Sequence, residues 1–198
     1  MQTRQPGLGR AARTEKTRTA IVTAALDLIA AAGYDATTTE AIAARAGVSP
    51  RTFFRYFPTK ESVILSGEDD FYQAFRGVFR AQPDTLTDIA AMREALVTLA
   101  PGVARRRRWT QVYVRAVETS SALRGQDQIK HDVNTASMAQ AIAERRALPE
   151  PDEDCELLAA IGHLLVSRAL RKWAMGPARV SPAELLEAEF ARLDKLLD

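Results

Sequence analysis

The sequence predicts an all-α fold, and three observations carry that expectation. No stretch alternates apolar and polar residues over six positions, as a half-buried strand would. Apolar residues recur instead at spacings of three and four. Segments of that kind are separated by Pro83, Pro101–Gly102, Gly125, Pro149/Pro151 and Gly176–Pro177, residue types that interrupt helices. Composition agrees, because 46% hydrophobic and 26% charged residues suit a packed chain and argue against wholesale disorder.

Residues 1–13 place Pro6, Gly7 and Gly9 among Arg4, Arg10 and Arg13, and read as a flexible basic arm. From Thr14 or Thr17 a helix is expected to Ala32, since Ile21, Ala25, Leu28 and Ala32 share one face. Gly33 follows as a left-handed C-terminal cap. Further helices are expected over 39–46, 50–56, 60–81, 85–99, 102–123, 126–146, 153–175 and 182–197. The last begins with Ser181, Pro182 and Glu184, the spacing of a capping box with proline at the first helical position.

The net charge of +2 hides an asymmetry. Residues 1–60 hold nine Lys/Arg against four Asp/Glu, and residues 61–198 hold eighteen against twenty-one. A basic N-terminal third suits phosphate binding, because clustered cations release counterions.

The informative stretch runs from Thr37 to Lys60. Thr37 or Thr38 caps a short helix, and Thr37 with Glu40 has capping-box spacing. Ile42 and Ala43 face inward, Gly47 sits in a turn and Val48 plugs it. Ser49 then caps a second helix with Pro50 at its first position. Two short helices joined in this way form a helix-turn-helix, which sends its second helix into the major groove. Phe53 and Phe57 share the side that packs inward, leaving Arg51, Thr52, Arg55 and Tyr56 for other faces. Arg51 suits a guanine edge and Thr52 a thymine methyl or a phosphate. Tyr56 and Lys60 sit where side chains reach backbone phosphates.

Residues 36–61, ATTTEAIAARAGVSPRTFFRYFPTKE, closely resemble the DNA-binding signature of the TetR family of bacterial regulators. The resemblance covers roughly residues 15–65. It implies phosphate contacts from Thr38 and Thr39, a DNA contact from Thr52, and positions near base edges for Ser49, Pro50 and Arg51. Phe54 stands where the family usually has a phosphate-bonding tyrosine, which implies an apolar contact there instead. Tyr56 keeps a phosphate donor, and Lys60 matches the family's phosphate-contacting lysine. The implied organisation is a helix-turn-helix domain over 14–62 and a larger helical ligand-binding and dimerisation domain over 63–198. The implied function is a ligand-responsive regulator, usually a repressor, that leaves a palindromic operator on binding a small apolar or acyl-type effector.

The implied partners are double-stranded operator DNA, a second copy of the chain and a small-molecule effector. In helix 153–175, Leu158, Ile161, Leu165 and Ala169 mark one stripe, with Ala159, Gly162 and Val166 on a flatter one beside it. Leu186, Phe190, Leu193 and Leu197 mark another in the last helix. These stripes are the candidate homodimer interface, with closure of the chain's own core as the alternative. Candidate effector-binding residues are Phe75, Trp109, Tyr113, Met138 and Trp173, with Phe71, Phe79, Val112, Ala116 and Val133 as further apolar lining. Arg105–Arg108 read either as an exposed basic turn or as an anion clamp at a pocket mouth. Residues 109–173, ending in Arg168-Ala169-Leu170-Arg171-Lys172-Trp173, resemble the TetR branch linked to mycofactocin systems, which implies acyl-CoA ligands.

Other functions find little support. The single cysteine, Cys155, reads as a small core residue and excludes an intrachain disulfide. His131 and His163 lack metal-ligand spacing to Cys, Asp or Glu, and each reads as an ordinary surface or core histidine. No Gly-rich phosphate loop or nucleophile elbow occurs, so no catalytic residue, metal or cofactor is assigned. An enzyme would have to pair His163 with Glu156 or find a similar couple. With no apolar run of roughly 18 to 20 residues and no signal-like N-terminus, a cytoplasmic protein without membrane partners is expected.

Overall fold

The computed structural model describes residues 6–66, 69–177 and 179–197, with no strand among them. Ten helices are described: α1 (Pro6–Ala32), α2 (Thr39–Arg45), α3 (Pro50–Tyr56), α4 (Lys60–Leu65), α5 (Asp69–Arg80), α6 (Asp88–Ala104), α7 (Arg107–Thr119), α8 (Ser121–Arg145), α9 (Glu153–Met175) and α10 (Pro182–Leu197). The bounds of α3, α9 and α10 match those expected from the sequence. None of the described helices is long and apolar enough to cross a membrane.

Four differences from expectation are the largest. Helix α1 begins at Pro6, so residues 6–13 of the expected flexible arm are helical, while residues 1–5, with Arg4, lie outside the described residues. Pro6 suits a helix start, and Leu8, Arg10, Ala11 and Ala12 are good helix formers. Extending a nucleated helix through Gly7 and Gly9 is far easier than starting one. The single helix expected over 60–81 is instead α4 and α5, with residues 67 and 68 outside the described residues. Helix α6 runs through Pro101, which sits one turn from the helix end and forfeits only one backbone bond. The break falls at Arg105 and Arg106 instead. Likewise Gly125 lies inside α8, whose start is fixed by the Ser120 hydroxyl accepting the Leu123 N–H at 3.2 Å.

Caps define the helix-turn-helix. Gly33 has φ of 84° and Gly47 φ of 69°, left-handed conformations that glycine adopts without strain. Thr38, not Thr37, caps α2 by accepting the Ala41 N–H at 3.1 Å. Thr37 is buried and donates to the Gly33 carbonyl at 2.8 Å, so the Thr37–Glu40 capping box does not form. The expected box at α10 does form: Ser181 N–H donates to Glu184 at 2.7 Å and Glu184 N–H to Ser181 Oγ at 3.2 Å.

Buried side chains gather into two clusters. Ile21, Ile42, Phe53, Phe57 and Ile64 unite α1 to α4, and Val112, Ala116 and Val117 of α7 with Leu123 of α8 join them. The second cluster unites α5, α6, α8, α9 and α10 around Phe75, Phe79, Met92, Leu96, Met138 and Phe190. Each fully buried side chain of this size contributes about 1.5–3 kcal/mol. Helix α7 is therefore shared, belonging by sequence to the larger domain and by packing partly to the smaller.

The stripes assigned to a dimer interface mostly close this chain's own core. Ala159, Leu165, Val166, Ala169, Leu186 and Phe190 are buried in the second cluster. Gly162 explains itself there, because a Cβ would lie 2.2 Å from Met92 Sδ and 3.0 Å from Met138 Cε. The exposed large apolar residues of these helices are Leu157, Leu164 and Met175 of α9, and Leu196 with Leu197 of α10. Only Leu197 belonged to the expected stripes.

Candidate functional site

The start of α3 is built to be presented. Ser49 Oγ accepts the Thr52 N–H at 3.1 Å and lies 3.0 Å from Thr52 Oγ1. Phe53 and Phe57 anchor the opposite side, their rings 6.2 Å apart and buried. Ser49, Pro50 and Arg51 are exposed, Thr52 is half-buried, and Phe54 is 48% exposed. Tyr56 lies half-buried with the Arg55 guanidinium 5.3 Å over its ring. The Thr17 hydroxyl beside it, on α1, draws its phenol below the ordinary tyrosine range.

Thr38 and Thr39 open α2, Thr38 exposed and Thr39 half-buried, with Thr39 donating to Glu40 at 3.1 Å. Lys60 has a role that sequence reasoning did not anticipate. Its ammonium donates to the carbonyls of Tyr34 and Thr37, at 3.0 and 2.9 Å, and sits 4.1 Å over the Tyr34 ring. It pins the loop between α1 and α2 from inside. Tyr34 in turn donates to Glu61 at 2.5 Å.

The larger domain encloses a cavity of about 600 Å³ between α5, α6, α7, α8 and α9. Trp109 and Tyr113 line it as expected, their rings stacked at 5.0 Å and 9°. Phe71 also lines it. Phe75, Met138 and Trp173 do not. Phe75 stacks on Phe79 inside the second cluster, Met138 packs against the Gly162 site, and Trp173 lies under the Arg107 guanidinium at 4.9 Å. Of the further lining expected, Phe79, Val112 and Ala116 are packed into the two clusters, and Val133 is 62% exposed.

Polar groups that the sequence reading set aside do line the cavity. His163 Nδ1 and the Tyr72 hydroxyl are 3.0 Å apart, both residues buried, and the His131 ring lies 3.6 Å from that of His163. Burial, reinforced by His131, pushes the His163 imidazole down to about 4, so it is neutral at physiological pH. Tyr113 donates to Asp127, also on the wall. Glu156 is exposed, so the acid/base couple weighed for an enzyme does not assemble.

The four arginines divide their work. Arg105 and Arg106 are exposed and line the cavity. Arg107 donates to the Gly176 carbonyl at 2.7 Å. Arg108 donates to Asp27 of α1, whose carboxylate also accepts Arg45 of α2 at 2.8 Å. These two arginines hold Asp27 below the usual carboxylate range.

Comparison with known proteins agrees with this geometry. Residues 21–66 match the family model of bacterial regulatory proteins of the tetR family. The HTH-type transcriptional regulator TcmR of Streptomyces glaucescens is 39% identical over 90 residues, 46% of this chain. The match spans 39% of that relative's length. A TetR-family regulator structure from Syntrophomonas wolfei superposes with a TM-score of 0.66 at 19% identity, over 92% of this chain and 95% of that one. FadR of Thermus thermophilus, a TetR family transcriptional repressor solved in complex with lauroyl-CoA, superposes at 0.53 and 23% identity. That match covers 89% of this chain and 92% of the other. At such identities the structural likenesses speak for the fold alone. Over residues 21–66 the chain thus carries the helix-turn-helix of bacterial regulatory proteins of the tetR family, and the all-helical body behind it shares the fold of TetR-family structures.

Proposed function

We propose that the chain is a transcriptional regulator that binds a pseudo-palindromic operator as a homodimer and releases it when a small molecule fills the cavity. Arg51 and Thr52 read base edges. Ser49 and Pro50 lie beside them, and Thr38, Thr39 and Tyr56 hold phosphates. Lys60 fixes the loop before α2 and offers its remaining N–H to a phosphate. Phe54 makes an apolar contact. Repression is the outcome implied by the resemblance of residues 36–61 to the TetR signature. The second copy docks on the exposed face of α9 and α10 that carries Leu157, Ala160, Leu164, Ala188 and Leu196, since symmetric dimers match palindromic sites.

The observation that carries this reading is the double allegiance of α7. Trp109, Thr110, Tyr113 and Val114 line the cavity, Val112 and Ala116 are packed into the core under the recognition helix, and Val117 belongs to both. Its first turn also holds α1 through Arg108 and Asp27. A ligand that shifts α7 therefore shifts the platform of α3. It must bind the released conformer more tightly, or it moves no population. The ligand is small and largely apolar, to match a wall rich in aliphatic and aromatic side chains.

Selection of bound DNA from a random pool, followed by salt-titrated affinity, tests the proposal. A two-fold symmetric site with a steep salt dependence is expected. Arg51→Ala should relax specificity at one base pair at a cost of roughly 1–3 kcal/mol. Uniform binding to all sequences would sink the reading. Asp27→Asn should leave operator binding intact and weaken its release by ligand.

A further inference from the structure

Among the described residues that line the cavity, polarity is distributed unevenly. The exposed ones are Ala74, Arg105, Arg106 and Arg171, so three of the four groups at the solvent side are guanidinium ions. Arg171 is bonded to Glu118, which is not part of the wall. The lining carries one carboxylate, Asp127, and that oxygen is engaged by the Tyr113 hydroxyl. The middle of the wall is aromatic: Trp109 stacked on Tyr113, and Phe71 edge-on to Tyr72 at 5.2 Å. The buried end, Tyr72 with His163 and His131, is polar but uncharged at His163. That end offers hydrogen bonds to a neutral substituent.

We infer that the effector is an aromatic amphipathic anion, a flat ring system against Trp109 and Tyr113 with one acidic group held by Arg105, Arg106 and Arg171. This rests on the reading of the cavity as the effector site. Guanidinium groups pair strongly with carboxylates and sulfonates, in a fork geometry that a neutral ligand cannot use. Stacked rings favour a rigid planar guest, which gives up little conformational freedom on binding, over a flexible chain. About 600 Å³ suits a molecule of two to four fused or linked rings.

Three probes separate the elements of the inference on the full-length protein. They are 8-anilinonaphthalene-1-sulfonate, its uncharged counterpart N-phenyl-1-naphthylamine, and dodecanoate, an anion without rings. Calorimetry and probe fluorescence are read for the native chain, for Arg105→Ala/Arg106→Ala, and for Ala74→Trp. The last substitution blocks the cavity from an exposed position, and circular dichroism confirms that it folds. The sulfonate should bind once per chain, roughly tenfold or more tighter than either other probe. The double variant should remove that margin and leave the neutral probe's affinity unchanged. Equal binding of the neutral probe, or a double variant that leaves the sulfonate unaffected, would overturn the anionic group. Dodecanoate binding as tightly as the sulfonate would overturn the aromatic body. Either result would leave the cavity standing as an effector site. Failure of all three to bind, or binding indifferent to Ala74→Trp, would remove the effector site and the inference together.

Discussion

Around α3, the packed side chains of Ile21, Ile42, Phe53 and Phe57 are apolar, and caps at helix ends supply much of the polarity near them: Thr38, Ser49 and Thr59 each accept a backbone N–H. Around the cavity, polar side chains are buried in mid-helix and bond one another across helices, as Tyr72 does with His163. The first region is filled. The second keeps about 600 Å³ open and lines part of it with groups that are expensive to desolvate. The contrast separates a region packed into one shape from a region with room for a guest.

The strongest break of that contrast is a deletion in each region. Phe53→Ala empties a fully buried site and should destabilise by about 3–5 kcal/mol. Leu170→Ala removes side chain from a wall that already faces open space and should lose less than about 2 kcal/mol. Urea melts of the two variants compare them directly. If Leu170→Ala proved as damaging, the cavity would be collapsed in solution.

Acid should act on the second region next. The His163 pKa is depressed from 6.5 to about 4, so the unfolded chain takes up a proton that the folded chain refuses. The corresponding stability is complete above the unfolded value. It is lost as pH falls from about 6.5 towards 4, amounting to roughly 3 kcal/mol at the acid end. His163→Gln should flatten that slope in melts between pH 7 and 4.5, and an unchanged slope would place the titration elsewhere.

Smaller effects return to α3. Gly47→Ala forces an alanine into a left-handed turn and should lower stability by about 1–2 kcal/mol, with far-UV circular dichroism at 25 °C unchanged. Phe54→Tyr should leave stability within about 0.5 kcal/mol, because the ring is half in solvent. It should tighten operator binding roughly threefold to tenfold by restoring one hydroxyl to a phosphate. No gain would mean that Phe54 points away from the backbone.

The same contrast explains what was legible beforehand. Ser49, Pro50 and Gly47 act within four residues of themselves, so sequence spacing alone located the Ser49 cap, the turn and the whole of α3. The cavity wall depends on which turns of distant helices meet. His131 and His163 are 32 positions apart and bear no local signature, yet α8 and α9 bring their rings together. Phe75, Met138 and Trp173 were indistinguishable by type from true wall residues, since core and cavity draw on the same side chains. A histidine between Gly162 and Leu165 on the inward face of α9 was the available clue. The break at Arg105 and Arg106 was hidden by Pro101, a stronger signal that the helix overrides.

Asp27 gives this architecture an unusual dependence. Its one carboxylate answers to Arg45 in the reading head and Arg108 in the sensing body, and both guanidinium groups stand partly in water. Ion pairs of that kind weaken as salt rises, so the joint between head and body should slacken with ionic strength even where the two cores are untouched. The same solution variable that loosens protein from DNA would then also set how firmly a bound effector is heard. A cell's osmotic state would enter the response without any binding site of its own.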